Sequence, residues 1–163
     1  MKTIGVISDT HGLMRPEALV ALQGAEAIIH AGDIGSPEVL ESLRSLAEVV
    51  AIRGNNDRGA WARAIPETAQ MKIEEAKIYI IHNVHDLDFN PSTAGYHIVI
   101  SGHSHHPAVK EKDGVLYLNP GSAGPRRFKL PIALARVKIA GSAVDAELIT
   151  IDAAEKKKTL TSR

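Results

Sequence analysis

The sequence predicts an α/β fold in which parallel strands joined by helices come first and antiparallel or mixed sheet follows. Three observations carry this. Up to Arg53, short apolar runs alternate with helical patterns in β-α-β-α-β order, the order of parallel strands whose connecting helices cover the sheet. After Asp57 helical patterns become scarce and β-rich runs follow one another. Asp113-Gly114 and Gly141-Ser142 each lie between two such runs, a two-residue hairpin signal. A chain of 163 residues, 44% of them hydrophobic, is enough for one domain with a sizeable core.

Taken in order, residues 3–8 contain Ile4, Val6 and Ile7 and form a mostly buried strand. Pro16 and Glu17 suit the first turn of a helix, Leu19, Val20 and Leu22 supply its apolar side, and Gly24 stops it. Residues 27–30 are the second strand. Ser36 is placed to cap and Pro37 to start a second helix, in which Val39, Leu40, Leu43, Leu46 and Ala47 recur at helical spacing. The third strand covers 49–53. Further strands are expected at 70–73, 77–81 and 97–101, then in hairpins over 109–112 with 115–118 and 132–138 with 143–151. No repeat or linker marks a second domain. Residues 1–151 are therefore expected to form a single domain, and the polar, Lys-rich stretch 152–163 a tail that frays into solvent.

Composition removes several function classes. Lys plus Arg number 19 and Asp plus Glu 19, so no global field gathers a polyanion, and a nucleic-acid partner is not indicated. The absence of Cys excludes disulfides, thiolate metal sites, Fe–S clusters and a Cys nucleophile, and agrees with a cytoplasmic setting. The first apolar run is too short for a signal peptide, and no window approaches the roughly 20 apolar residues of a membrane span. A homo-oligomer stays open.

Polar clusters fall at the carboxyl ends of the expected strands, the ends that face the ligand crevice in open α/β sheets. Asp9 and His11 follow the first strand, Asp33 the second and Asn55 the third, while His82 follows 77–81 and His103 and His105 follow 97–101. The i, i+2 spacing of Asp9 with His11 and of His103 with His105 directs both members to one face if the backbone is extended. Imidazole, carboxylate and carboxamide without thiolate suit Mn2+, Fe2+, Ni2+, Co2+ or Zn2+. Seven candidates exceed the needs of one such ion, whereas two ions about 3.5 to 4 Å apart would use them all, with Asp33 as the natural bridge.

These residues resemble the calcineurin-like metallophosphoesterases, in the branch of small single-domain prokaryotic phosphodiesterases. Asp9-Thr10-His11-Gly12 is similar to the Asp-x-His block, Gly32-Asp33 to the Gly-Asp block and Gly54-Asn55-Asn56-Asp57 to the Gly-Asn block. His82 stands at the lone central His, Gly102-His103-Ser104-His105 at the Gly-His-x-His block, and Asn119-Pro120-Gly121-Ser122 matches a further element of this branch. The resemblance implies a four-layer α/β sandwich, two packed mixed β-sheets flanked by helices, with a dinuclear site at the strand ends. Asp9, His11 and His105 would hold one ion, Asn55, His82 and His103 the other, and Asp33 would bridge them. It further implies hydrolysis of phosphodiesters, with phosphomonoesters as a second substrate, by a hydroxide bridging two divalent ions. Mn2+ is the first expectation. Asn55 would also contact phosphate. Two departures stand out: Asn56 replaces the His that protonates the leaving group in many relatives, and Asn83 replaces the Gly after the central His. The catalytic acid is therefore unidentified.

Other polar residues have plainer readings. His30 is expected to be buried support for the site, His97 and His106 structural or exposed, and Asp57 a turn residue or a support. Arg53, Arg58, Arg126 and Arg127 are candidates for gripping phosphate, although Arg is by default a surface residue. A different class of function is a non-catalytic protein-interaction scaffold on the same fold, as in the retromer subunit of this family. Complete ligation separates the two, and every one of the seven positions here retains a ligating side chain.

Overall fold

Strand β1 (Lys2–Ile7) carries apolar residues on both faces, which requires a layer on either side of it. Ile4 and Val6 enter a cluster shared with a second sheet, and Ile7 packs in the opposite direction against helices. The computed structural model describes residues 1–127, 129–152 and 155–161, with side chains up to residue 151. After β1 come α1 (Pro16–Leu22), β2 (Ala27–His30), α2 (Pro37–Arg44), β3 (Glu48–Ala51) and a one-turn α3 (Ala60–Arg63). The strands β1, β2 and β3 pair in parallel, Ile4 opposite Ala27 and Ile28 opposite Val49. Both longer helices open on a proline, and Ser36 holds the N-cap position of α2 in extended backbone without a capping bond from its hydroxyl.

The remainder is sheet: β4 (Thr68–Ile73), β5 (Ala76–Ile81), β6 (Ile98–Ile100), β7 (Ala108–Lys112), β8 (Val115–Asn119), β9 (Ala133–Ala140), β10 (Ala143–Asp152) and β11 (Glu155–Thr161). One sheet has the order β11-β10-β9-β1-β2-β3 and the other β4-β5-β6-β8-β7. Each is mixed, with β5, β6 and β8 the parallel strands of the second. Asp113 and Gly114 both have positive φ, 53° and 78°, the backbone that the tightest hairpin turn demands.

The expectation of a frayed tail is corrected by β11, which pairs antiparallel with β10, Leu148 opposite Leu160. Ladder bonds are made by backbone N–H and C=O groups, so polar side chains do not prevent pairing with a strand that would otherwise be an open edge. Residues 153, 154, 162 and 163 of that stretch lie outside the described residues.

The sheets pack face to face through Ile29, Ile78, Ile80, Ile98, Ile100 and Val137. Leu22, Val39, Leu40 and Leu43 fasten α1 and α2 to the outer face of the first sheet. The outer face of the second is covered by the segment after β5, where Val84 and Leu87 pack on Tyr79, Val99 and Tyr117. Among the described residues no helix is long and apolar enough to cross a membrane. This stacking brings the carboxyl ends of parallel strands from both sheets to one edge, where His82 after β5 reaches the Ala31 carbonyl after β2 at 2.7 Å.

Candidate metal centre

The loops at that edge are not extended. Asp9, His11, Asp33, His103 and His105 all have positive φ, from 47° to 71°. His103 does not join the ligand group of His105, whereas for Asp9 and His11 the shared facing inferred from i, i+2 spacing in a strand is produced by left-handed turns instead, a conformation that costs a non-glycine residue on the order of 1 kcal/mol. Tertiary bonds hold it. The Asp9 and His11 amides donate to the Gly32 and Asp33 carbonyls at 2.9 Å each, and Gly12 N–H donates to the Ile34 carbonyl at 2.8 Å. The two loops come so close that a Cβ at Gly35 would run into the Gly12 amide. Asp57 fastens the third loop, its buried carboxylate accepting from the Ile34, Gly35 and Gly54 amides at 3.0, 2.9 and 2.9 Å.

Five of the seven candidates converge on two carboxylates. Asp9 Oδ1 lies 3.3 Å from His105 Nε2, 3.8 Å from His11 Nε2 and 3.9 Å from His82 Nε2. Asp33 Oδ2 lies 3.3 Å from His82 Nε2 and 3.9 Å from His11 Nε2. Two groups of ligand atoms result, Asp9 with His11 and His105, and Asp9 with Asp33 and His82. Asp9 belongs to both, while Asp33 faces a histidine of each. His103 stands outside these groups, its ring 5.2 Å from that of His82, and Asn55 is exposed on the loop after β3. Both line a cavity of about 420 Å3 that starts at His82.

Supporting residues orient this set. Ser8 Oγ donates to Asp9 Oδ2 at 2.6 Å and His103 N–H donates to the same oxygen at 3.0 Å, leaving Oδ1 to face the imidazoles. Asn56 donates its backbone N–H to Asp33 Oδ1 at 2.9 Å and its amide to Oδ2 at 3.1 Å. Asn119 Nδ2 donates to the Gly102 carbonyl and the Ser104 hydroxyl at 2.9 and 3.0 Å, and Ser122 donates to the Asp9 carbonyl at 3.0 Å. The element expected from the resemblance thus staples the His103–His105 loop. Ser8 was missed by sequence reasoning because it reads as the end of a strand. Asn56 was noticed only for the proton it cannot give.

His30 is the buried support that the sequence suggested. Gly32 N–H donates to Nδ1 at 3.1 Å, Nε2 meets Thr10 Oγ1 at 3.0 Å, and Thr10 donates onward to the Ile34 carbonyl at 2.8 Å. That chain accommodates a neutral ring with its proton on Nε2. Burial lowers its pKa to about 4, against the pull of the Asp9, Asp57 and Asp33 charges. For Asp9, burial favours the acid, yet the nearby His105 imidazole, the hydrogen bond from Ser8 and the charge of His82 hold the pKa below the ordinary value. Burial is likewise outweighed at Asp33, by His82 and the Asn56 amide, which keep its carboxyl well below the usual range. His82 moves upward, because Asp33 and the Ala31 carbonyl overcome burial.

The donor set fits divalent cations. Among the described residues, the buried atoms Asp9 Oδ1, His82 Nε2 and His105 Nδ1 have no hydrogen-bond partner. His82 donates from Nδ1 to Ala31, so its neutral form aims the Nε2 lone pair at both carboxylates, where a positive charge would satisfy Asp9 Oδ1 and His82 Nε2. The facing Nε2 atoms of His11 and His105, 3.4 Å apart, have the same requirement.

Residues 1–142 match the model of the calcineurin-like phosphoesterase superfamily domain. The chain belongs to this superfamily. A probable metallophosphoesterase of Methanothermobacter thermautotrophicus is 36% identical over 158 residues, covering 90% of this chain and 91% of that protein. A phosphodiesterase of Methanocaldococcus jannaschii is 32% identical over 137 residues, covering 72% of this chain and 82% of its own. Among solved structures, a mutant Vps29 from Entamoeba histolytica superimposes with a TM-score of 0.79 at 25% identity over 99% of both chains. The calcineurin-like superfamily therefore accounts for the two mixed sheets and for the placement of the polar loops at their shared edge.

Proposed function

We propose that this protein is a phosphodiesterase dependent on two divalent metal ions, Mn2+ first among them. The observation that carries the reading is the buried, unpartnered Asp9 Oδ1 with imidazole nitrogens of three histidines 3.3 to 3.9 Å away. Asp9, His11 and His105 would hold one ion and Asn55, His82 and His103 the other, with Asp33 between them. When bound, the ions supply Lewis acidity toward phosphoryl oxygens and lower the pKa of water toward neutrality.

The chain's own groups define the rest. The Asn55 carboxamide, which lines the cavity, donates to a phosphoryl oxygen, and the His103 side chain lines the same cavity. Hydrolysis joins a water oxygen to phosphorus, breaks one P–O ester bond and leaves an alcohol that must gain a proton. Asn56 cannot deliver it, since its amide is engaged with Asp33 and has no acidic proton to give. Asp57 cannot either, because three backbone amides occupy its carboxylate. The rate is expected to fall steeply as the leaving alcohol becomes more basic, acid catalysis being worth about 10² to 10⁴-fold. Rates indifferent to leaving-group pKa, with chemistry limiting, would contradict this.

Elemental analysis of the purified protein, with Mn2+-dependent turnover of bis(4-nitrophenyl) phosphate, tests the function. Asp33→Asn and His103→Ala should abolish turnover while circular dichroism stays native. Metal loading without turnover of any phosphoester would favour an interaction scaffold on this fold, the alternative to which the likeness to Vps29 points.

A further inference from the structure

The cavity that starts at the metal centre has a second half made by residues the phosphoesterase reading does not use. Beyond His82, His103 and Asn55 its polar lining is Arg53, Glu67, Thr68, Asn83 and Asp86, with Gly54 and Ile81 completing the wall. At about 420 Å3 for both halves together, it falls in the size range of small-molecule pockets. Arg53 is the one Arg or Lys among these lining residues, and Glu67 Oε1 already takes its guanidinium at 2.8 Å. Its second nitrogen reaches toward the Ala62 carbonyl at 3.5 Å. Pairing neutralises that charge and leaves the Asp86 carboxylate as the excess charge on the wall. A phosphate placed here would meet the Asp86 carboxylate and an Arg53 already engaged by Glu67, whereas alcohol hydroxyls would find acceptors in Glu67 and Asp86 and polar partners in Thr68 and Asn83.

Resting on the phosphodiesterase reading, we propose that this half of the cavity receives the second ester group of the substrate and selects an uncharged, hydroxyl-bearing alcohol such as a nucleoside or polyol. Glu67 and Asp86 are its specificity determinants, and they reject a group that carries a further phosphate. The substrates are then diesters with a single phosphate, and chains with successive phosphates are disfavoured.

The thymidine 5′-(4-nitrophenyl) phosphate diester and its 3′-phosphorylated counterpart release the same nitrophenolate, so their ratio of kcat/KM reports the cavity and not the leaving group. With Mn2+-loaded protein the unphosphorylated diester should be favoured by about tenfold at low salt. Glu67→Gln with Asp86→Asn removes both carboxylates and releases Arg53, and should close or invert that ratio. Calorimetry gives a second readout: thymidine 5′-phosphate should bind the loaded protein more tightly than thymidine 3′,5′-bisphosphate, and the double variant should reverse the order. Equal or better use of the 3′-phosphorylated diester, or a ratio unchanged in the double variant, overturns the cavity assignment while leaving the phosphodiesterase reading intact. Failure of both diesters and of bis(4-nitrophenyl) phosphate overturns that reading and this assignment with it.

Discussion

Asp9 shows how a single side chain is committed to one role by its neighbours. With Oδ2 taken by Ser8 and the His103 amide, only Oδ1 is presented to the imidazoles. Ser8→Ala should therefore weaken divalent-metal binding about tenfold, the usual effect of losing a partner behind a ligand, while the fold persists. Calorimetric Mn2+ titration of the two proteins checks this. His30 makes a different prediction. Its folded pKa of about 4 lies below the unfolded 6.5, so between these values the unfolded chain binds the extra proton. Stability is unaffected above pH 6.5 and falls as pH drops toward 4, by about 3 kcal/mol in all. Urea denaturation of the metal-free protein across that window should show the loss, and His30→Gln should lack this part of the slope.

At the scale of elements, the site is three loops locked together, and the locks are backbone bonds. Asp57→Ala leaves the Ile34, Gly35 and Gly54 amides without their acceptor and should cost about 3 kcal/mol, read as a lower thermal midpoint. Gly54→Ala acts from the same turn in another way, because a Cβ there would strike the Asp33 carboxylate and backbone. It should impair metal binding as well as stability, by about 2 kcal/mol. The elements were legible to a large degree. Residues 27–30 are a strand as read, and both helices start at the prolines that announce them. The left-handed backbone at Asp9, His11, Asp33, His103 and His105 was not legible, since no glycine stands at those positions and the turns are imposed by neighbouring loops. For the same reason β11 was missed: a Lys-rich stretch carries no sign of the open strand that pairs with it.

For the molecule as a whole, the site exists only because two sheets are packed in register. Ile80 is fully buried between them, so Ile80→Ala should cost about 2 to 5 kcal/mol and, by loosening the sheets, lower Mn2+ affinity too. Parallel measurements of unfolding and metal titration distinguish this from a purely local defect. The order of Asp, His and Asn along the chain, their positions after apolar runs and the absence of thiolate are properties of the sequence, and they determined that a divalent-metal site was expected; the resemblance carried by the motif blocks added the phosphoester chemistry. Tertiary structure decided which groups meet. Distances such as the 3.3 Å between His82 and Asp33 join loops 49 residues apart on different sheets. The pairing of Arg53 with Glu67 likewise joins the segment after β3 to the one before β4, and engages a candidate phosphate grip with a carboxylate. Residue type is local, whereas separation and charge compensation depend on how the sheets stack.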